Sequence, residues 1–446
     1  MNGENTALLT DLYQLTMLQA YHREGMSDTA SFELFVRKIP PTRNFLVAAG
    51  LDQLIEFLES FRFSDEECEW LGTLGYFSQD FIDYLSKLRF TGDVHAIPEG
   101  TIFFQNEPIV RVTAPISEAQ IIETRLINII QLQTMIASKA IRSVLAAPGK
   151  LLVDFGLRRA HGAEAGLMAA RAAYLAGFDG TSNVLAGKLF GIPTYGTMAH
   201  SYVMAHDDEA DAFERFAESL PGNVVLLIDT YDTLEAARKV VALAPRLAAK
   251  NIAIKGVRLD SGDLTELAKG VRTILDDGGL TQCTIFVSGD LDEHELSRVL
   301  KAGAPIDGFG VGTRLTTSRD MPYLNCAYKL QEYAGRPRRK RSKGKESWPA
   351  RKQVYRRYDD DGRMLHDIIA IEDEPGLEGE PLLRQVMAGG KRVGARETLA
   401  DMRARLREQL QRLPVELAAL DKSSTYPVLI SDGLQRMVQH MESVGL

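Results

Sequence analysis

The chain has 446 residues, 45% of them hydrophobic and 25% charged, with a formal net charge of −8. That length buries a sizeable core, and the acidic balance gives no electrostatic reason to expect nucleic acid or an anionic membrane surface as a partner. Three cysteines, Cys68, Cys283 and Cys326, are too few and too dispersed for a disulfide framework or a cysteine zinc site, which fits a reducing compartment.

In chain order, no basic segment followed by an apolar run opens the sequence. The longest purely aliphatic run, Val224 to Ile228, falls far short of a membrane span, so the expected location is cytoplasmic. Leu8, Leu12, Leu15 and Leu18 recur at helical spacing and predict an amphipathic helix over 8–24. Residues 31–37 alternate in part, as a strand does. A longer helix is expected from Ser117 to Leu145, with Ser117 and Gln120 spaced like a capping box and Pro148-Gly149 closing it.

From residue 150 the rhythm changes. Short apolar runs ending in Gly, Asp, Ser or Thr are each followed by a helical pattern: Leu151–Phe155, Ile192–Gly196, Val224–Ile228, Ala253–Leu259, Thr284–Val287 and Ile306–Val311. Their regular recurrence argues for successive βα units and a largely parallel sheet. With no break in composition, the series reads as a closed or nearly closed barrel, and a doubly wound open sheet is the alternative. Beyond Gly335, the stretch RPRRKRSKGK carries seven Lys or Arg in ten residues. Residues 353–372 read as a hairpin around Asp361-Gly362, and 395–411 as an exposed, charge-patterned helix. The resulting division is 1–145, a barrel over 146–345 carrying the active site, and 346–446 packing with the first segment as a second domain.

In parallel α/β folds, ligands collect beyond the carboxyl ends of the strands, where helix N-termini and free N–H groups point. Those ends contain Asp154-Phe155-Gly156-Leu157-Arg158-Arg159, Gly196-Thr197-Met198-Ala199-His200-Ser201, Asp229-Thr230-Tyr231-Asp232, Arg258-Leu259-Asp260-Ser261-Gly262-Asp263, Ser288-Gly289-Asp290 and Gly308 to Thr313. Glycines, carboxylates, arginines and a histidine together suit a phosphorylated, hydroxyl-rich ligand with a divalent cation. Asp232, Asp263 and Asp290 each precede a Glu by three, the spacing of a capping box, so each has a helix-capping reading beside a functional one. For Asp290 the preceding Ser288-Gly289 also lets a ligand approach the backbone. Capping does not explain Asp229 or Asp260. Arg258 and Asp260 share one strand face, where they either pair with one another or bind something. The Gly310-x-Gly312-Thr313 turn is either a phosphate cradle or an ordinary glycine turn.

These motifs converge. The stretches TDLYQLTM, FELFVRK, ETRLINIIQLQTMIASKAIR, LVDFGLRRAHG, GFDGTSNVLAG, GTMAHS, LIDTYDT, VRLDSGDL, GFGVGT and CAYKLQEYAG, in this order, resemble nicotinate phosphoribosyltransferases over nearly the whole length. The resemblance implies an α/β fold: an irregular parallel α/β barrel with a second mixed α/β domain built from both chain ends. It implies that nicotinate and 5-phosphoribosyl 1-diphosphate give nicotinate mononucleotide and diphosphate, the first step of NAD salvage from nicotinic acid. ATP would be a co-substrate, hydrolysed through a phosphorylated histidine, with Mg2+ as cofactor. Carried over by motif, His200 is the phospho-acceptor. Tyr13 and Phe155 stack on the pyridine ring, Tyr13 coming from the partner subunit of a homodimer with a shared active site. Thr197 and Arg258 bind nicotinate, the arginine as countercharge to its carboxylate. Asp260 and Asp229 hold ribose hydroxyls or magnesium water. Gly289, Asp290, Gly312 and Thr313 line the phosphoribosyl site, with Arg158 close to base and phosphate.

Ser182 stands where the related nicotinamide enzymes carry an acidic residue. A carboxylate there would accept from an amide NH2 and repel nicotinate's carboxylate, and serine does neither, which favours nicotinate. Pro40-Pro41-Thr42-Arg43-Asn44 departs from the glycine-rich version of many relatives, which weakens the placing of Arg37 and Lys38 near the partner's site. Two other readings stay open: a nicotinamide phosphoribosyltransferase, and a non-catalytic NAD-precursor-binding relative.

Overall fold

The computed structural model describes residues 6–342, 344–421 and 424–444. They form two compact units, one from 1–138 and 321–446, the other from 139–320. The first boundary falls inside the helix Glu123–Ala146. The second lies ahead of the 345 expected from sequence, because the strand Cys326–Tyr333 pairs antiparallel with Thr29–Val36 in the unit of the chain ends.

That unit holds a seven-stranded sheet, ordered 336–337, 326–333, 29–36, 108–115, 93–96, 384–388 and 391–392, and a four-stranded sheet containing the expected hairpin. Lys352–Tyr358 pairs antiparallel with Met364–Ile371, and Gly362 takes a positive φ of 76° at the turn. Thr29–Val36 is buried on both faces from Ala30 onward, which is why its alternation was incomplete in sequence. Two ion pairs are buried inside the unit: Lys352 Nζ lies 2.8 Å from Glu33, and the Arg356 fork holds Asp367, which also accepts from the Tyr426 hydroxyl. Two helix expectations shift. The opening helix begins at Leu12 and buries Gln14, Leu15 and Leu18, leaving Leu12 exposed. The helix expected from Ser117 is two, Ile116–Ile121 and Glu123–Ala146; Pro115 occupies the N-cap and Ser117 lies inside, so it makes no capping box.

The second unit is a six-stranded, all-parallel curled sheet, ordered 180–181, 151–154, 308–311, 284–287, 254–259 and 224–227. In sequence rank this is 2-1-6-5-4-3. First and last strands pair, as in a barrel and unlike a doubly wound sheet, and the circle opens between ranks 2 and 3, giving a half-barrel. The run Ile192–Gly196, expected as a strand, supplies only a single bridge from Thr194 to Thr181. The strand at that edge is Gly180–Thr181, too short and too polar to show as an apolar run. Core positions such as Val153, Leu226, Val257, Leu259, Ile285, Val287 and Phe309 are fully or almost fully buried, so the sheet is rigid where its carboxyl ends begin. No helix among the described residues is long and apolar enough to cross a membrane.

Candidate active site

The site is assembled at the carboxyl ends of the half-barrel strands and in the seam where its circle opens. Parallel register levels those ends: Leu227 and Phe286 both lie opposite Arg258, and Asp154 opposite Val311 and Thr181. Arg258 sits between two fully buried residues, Val257 and Leu259, so its own side chain turns to the opposite face. There its Nη1 donates to the Thr197 hydroxyl at 2.8 Å, while its Nε is buried without an acceptor. Burial pushes the guanidinium pKa down, against the opposing pull of Asp260 and Asp229. The mutual ion pair open from spacing does not form, since Asp260 instead accepts from the Ser288 hydroxyl. Arg258 is thus a cation with unspent hydrogen-bonding capacity and no ion-pair partner among the described residues.

Asp229 is the hinge of a second group. Its side chain is 1% exposed. One oxygen accepts from the Asp260 backbone N–H at 3.1 Å and the Ser261 hydroxyl at 2.6 Å, and the other, Oδ1, is buried with no donor. That orphaned oxygen lies 3.9 Å from Nε2 of His200, whose Nδ1 is 3.1 Å from the Thr230 hydroxyl. His200 is 39% exposed and opens the short helix His200–Met204. A carboxylate thus stands behind one ring nitrogen while the imidazole keeps access to solvent.

The aspartates sort as spacing suggested, with one exception. Asp232 accepts from the Glu235 N–H, and Asp263 from Thr265 and Glu266, so both are helix caps. Asp290 caps nothing: the cap of Glu293–Lys301 is Asp292. Asp290 instead holds a left-handed φ of 43°, and its carboxylate is gripped by Arg314, which lowers its pKa. Gly289 before it, at φ 99°, cannot be replaced without conflict, since a Cβ would stand 2.0 Å from the Asp260 carbonyl oxygen. Strained backbone of this kind persists where its surroundings over-determine it.

The glycines of the last strand have a role that sequence did not show. A Cβ at Gly310 would meet the Phe155 ring at 2.6 Å, and one at Gly308 the Phe286 ring at 2.8 Å; the two rings lie 5.8 Å apart, tilted by 45°. The glycine stripe makes room for aromatic surface, while Gly312 and Thr313 stand at the strand end, where the helix Thr313–Thr316 begins. Asp154 ties the loops on either side of this floor. It accepts from the Gly156 N–H and the Thr181 hydroxyl, each at 2.8 Å, and burial raises its pKa. Ser182 follows, half-buried, with its N–H on the Asp154 carbonyl. Arg158 lies exposed in the turn Leu157–Arg159, close enough for its charge to act on Arg258.

One unit therefore brings together Phe155, Arg158, Ser182, Thr197, His200, Asp229, Arg258, Asp260, Gly289, Asp290, Gly312 and Thr313. Tyr13 belongs to the other, 49% exposed, its hydroxyl accepting from Gln14. Arg37 is half-buried and Lys38 exposed in that same unit. Sequence reasoning missed Thr230, Ser261, Ser288 and Arg314 as partners. They are distant in sequence or ordinary in type, and no spacing rule pairs them.

Comparison with known proteins identifies the family. Residues 8–131 match the N-terminal domain model of nicotinate phosphoribosyltransferase, 151–346 the nicotinate phosphoribosyltransferase family model, and 376–438 the C-terminal domain model. The chain is 50% identical to nicotinate phosphoribosyltransferase pncB2 of Mycobacterium tuberculosis, over 96% of this chain and 92% of that one. It is 43% identical to the nicotinate phosphoribosyltransferase of Bacillus subtilis, over 83% and 77%. Among solved structures, human nicotinic acid phosphoribosyltransferase superposes with a TM-score of 0.88 at 30% identity, covering 97% of this chain and 99% of that one. The chain belongs to the nicotinate phosphoribosyltransferase family, and its activity is phosphoribosyl transfer to nicotinate, a step of NAD salvage.

Proposed function

We propose that the half-barrel strand ends carry this transfer, with Arg258 receiving the nicotinate carboxylate. The observation that carries the assignment is the arginine's state: half-buried, bonded only to Thr197, with Nε buried and unsatisfied. A carboxylate seated there gains a charge-assisted pair and satisfies an orphaned donor. The Phe155 ring supplies a flat apolar surface for the pyridine, and neutral Ser182 leaves the carboxylate unopposed. An amide would set a neutral group against the same cation, which disfavours the nicotinamide reading.

The pyridine nitrogen carries its own lone pair, so no strong base is required. It attacks the anomeric carbon as diphosphate leaves, and positioning supplies most of the acceleration. Asp260, held by Ser288, and Asp290 are the candidates for the ribose hydroxyls, with Gly289, Gly312, Thr313 and Arg158 around the phosphoribosyl group. Among the described residues no cluster of three or more His, Cys, Asp or Glu could cage a metal. The donor set nevertheless fits Mg2+, which binds through one or two carboxylates plus water and substrate oxygens. Asp260 and Asp229 would hold it through water, and its chemistry there would be to neutralise the departing diphosphate.

His200 is the proposed acceptor for the γ-phosphoryl group of ATP. The unpartnered Asp229 oxygen favours the tautomer with the proton on Nε2, which leaves the Nδ1 lone pair beside the Thr230 hydroxyl. Nδ1 attacks phosphorus, ADP departs, and the positive charge gained by the ring is met by Asp229. Hydrolysis of the phosphohistidine then couples ATP to the cycle. Tyr13 would reach the site from a partner subunit. Its exposure supports that, as does the apolar surface of the helix Val184–Phe190, where Val184, Leu185 and Leu189 are 76%, 49% and 56% exposed.

The deciding assay measures turnover of nicotinate and of nicotinamide with phosphoribosyl diphosphate and Mg2+, each with and without ATP. Nicotinate turnover stimulated by ATP is the expected result. Faster turnover of nicotinamide would displace the assignment of Arg258, and absence of diphosphate release would revive the non-catalytic reading.

A further inference from the structure

Arg314 has no place in the site as read from sequence, yet it ties two strand-end turns together. It is the second residue of the helix Thr313–Thr316, just past the last strand, and its side chain is 21% exposed. Its fork is fully directed. Nε donates to Oδ1 of Asp290 at 2.9 Å, Nη2 to Oδ2 of the same carboxylate, and Nη1 to Oδ2 of Asp292 at 2.7 Å. Asp292 is fixed from the other side, because its Oδ1 accepts the N–H groups of His294 and Glu295 at the start of the next helix. Asp290 is thereby anchored through a residue that is itself anchored. Behind it, Gly289 packs on the Asp260 carbonyl so closely that no side chain fits between them. The left-handed φ of 43° at Asp290, uncommon for a residue with a Cβ, is held by this combination.

The chemistry of the pair is specific. A bidentate arginine occupies one lone pair on each carboxylate oxygen, and a carboxylate has about four acceptor sites. Two remain on Asp290, one per oxygen, on a side chain that is 67% exposed at the carboxyl end of the sheet. Two parallel acceptors at fixed spacing match two adjacent hydroxyls. The arginine also offsets two carboxylates that would otherwise repel an anionic phosphoribosyl ligand.

We propose that Arg314 is a positioning residue for phosphoribosyl transfer, holding the Asp290 carboxylate in the orientation in which its remaining lone pairs accept the vicinal hydroxyls of phosphoribosyl diphosphate. This rests on the assignment of Asp290 to the phosphoribosyl site. A lysine substitutes only in part, because a single ammonium cannot span both oxygens of Asp290 and reach Asp292.

A double-mutant cycle tests it, using the full-length enzyme with phosphoribosyl diphosphate and nicotinate varied separately. Arg314→Gln is expected to raise the KM for phosphoribosyl diphosphate about 10-fold or more, with the nicotinate KM within a factor of about two. Arg314→Lys, the milder variant should the first fold poorly, should show a smaller increase of the same kind. Asp290→Asn should raise the same KM, and adding Arg314→Gln to it should have little further effect, because the arginine acts through the aspartate. If Asp290→Asn leaves that KM unchanged, the assignment of Asp290 fails and this inference with it. If Asp290→Asn raises it while both arginine variants do not, or if the two effects multiply fully, Asp290 keeps its role and Arg314 loses its own.

Discussion

Replacing Arg258 with glutamine separates a ligand-binding arginine from a structural one. The side chain is largely buried, holds one hydrogen bond to Thr197, leaves Nε without an acceptor, and makes no ion pair among the described residues. Its burial already opposes the charged state. Removing the charge should therefore cost the free protein little: one neutral-partner hydrogen bond, about 1 kcal/mol, set against relief of a desolvated cation. The bound complex would lose a charge-assisted pair worth about 1.5–3 kcal/mol, which at 1.4 kcal/mol per factor of ten is roughly a 10- to 150-fold higher nicotinate KM. Discrimination against nicotinamide should fall by a similar factor, since a neutral amide never drew on that charge. Steady-state kinetics with both substrates, beside thermal melts of the unliganded protein, read out both halves. A large drop in Tm with an unchanged nicotinate KM would show that the arginine supports the barrel and that the carboxylate binds elsewhere.

Four further outcomes follow from other residues. Gly289→Ala combines a left-handed φ, costing about 1–2 kcal/mol, with a Cβ 2.0 Å from a backbone oxygen; a Tm lower by several degrees and displaced kinetics are expected, and wild-type values for both would contradict the packing described. His200→Ala should abolish ATP hydrolysis while leaving slow phosphoribosyl transfer, and undiminished ATPase activity would refute the phospho-acceptor assignment. Mixed dimers of Tyr13→Ala and His200→Ala subunits should recover about a quarter of wild-type activity, because half the dimers are mixed and each has one intact shared site; no recovery would argue against sharing. In the other unit, burial, reinforced by Asp367, raises the Glu107 carboxyl well above its usual range. A raised folded pKa favours folding below the unfolded value and loses that stability as pH rises towards and through the folded one. Glu107→Gln, which mimics the protonated acid, should thus melt above wild type at pH 8, with the gap closing towards pH 4.5, and a pH-independent gap would show that the carboxyl is ionised in the fold.

How far the site could be read in sequence varied by residue. Arg258 and Asp260 were visible as an inward-facing pair two apart on a strand, and Asp232 and Asp263 as caps, because both inferences need only local geometry. Asp290 was ambiguous for the same reason: its spacing to Glu293 satisfied the capping rule, and only the placement of Arg314 and Asp292 showed that the neighbouring aspartate does the capping. The Gly310-x-Gly312-Thr313 turn read equally as a phosphate cradle or an ordinary glycine turn, and the Phe155 and Phe286 rings that need the space at Gly310 and Gly308 come from elsewhere in the chain. The strand Gly180–Thr181 was hidden because two polar-to-neutral residues at an edge leave no hydrophobic signature.

What the sequence by itself determined was the local grammar: βα alternation after residue 150, the caps, the strand faces, and motifs specific enough to indicate the family. Those depend on periods of two and 3.6 residues and on contacts a few positions apart. The tertiary structure alone decided where the circle of strands opens, that Arg258 and Asp260 take separate partners, and that Arg314 commands Asp290. Each of these depends on side chains tens of residues apart meeting at the ends of a rigid parallel sheet, and such meetings leave no periodic trace along the chain.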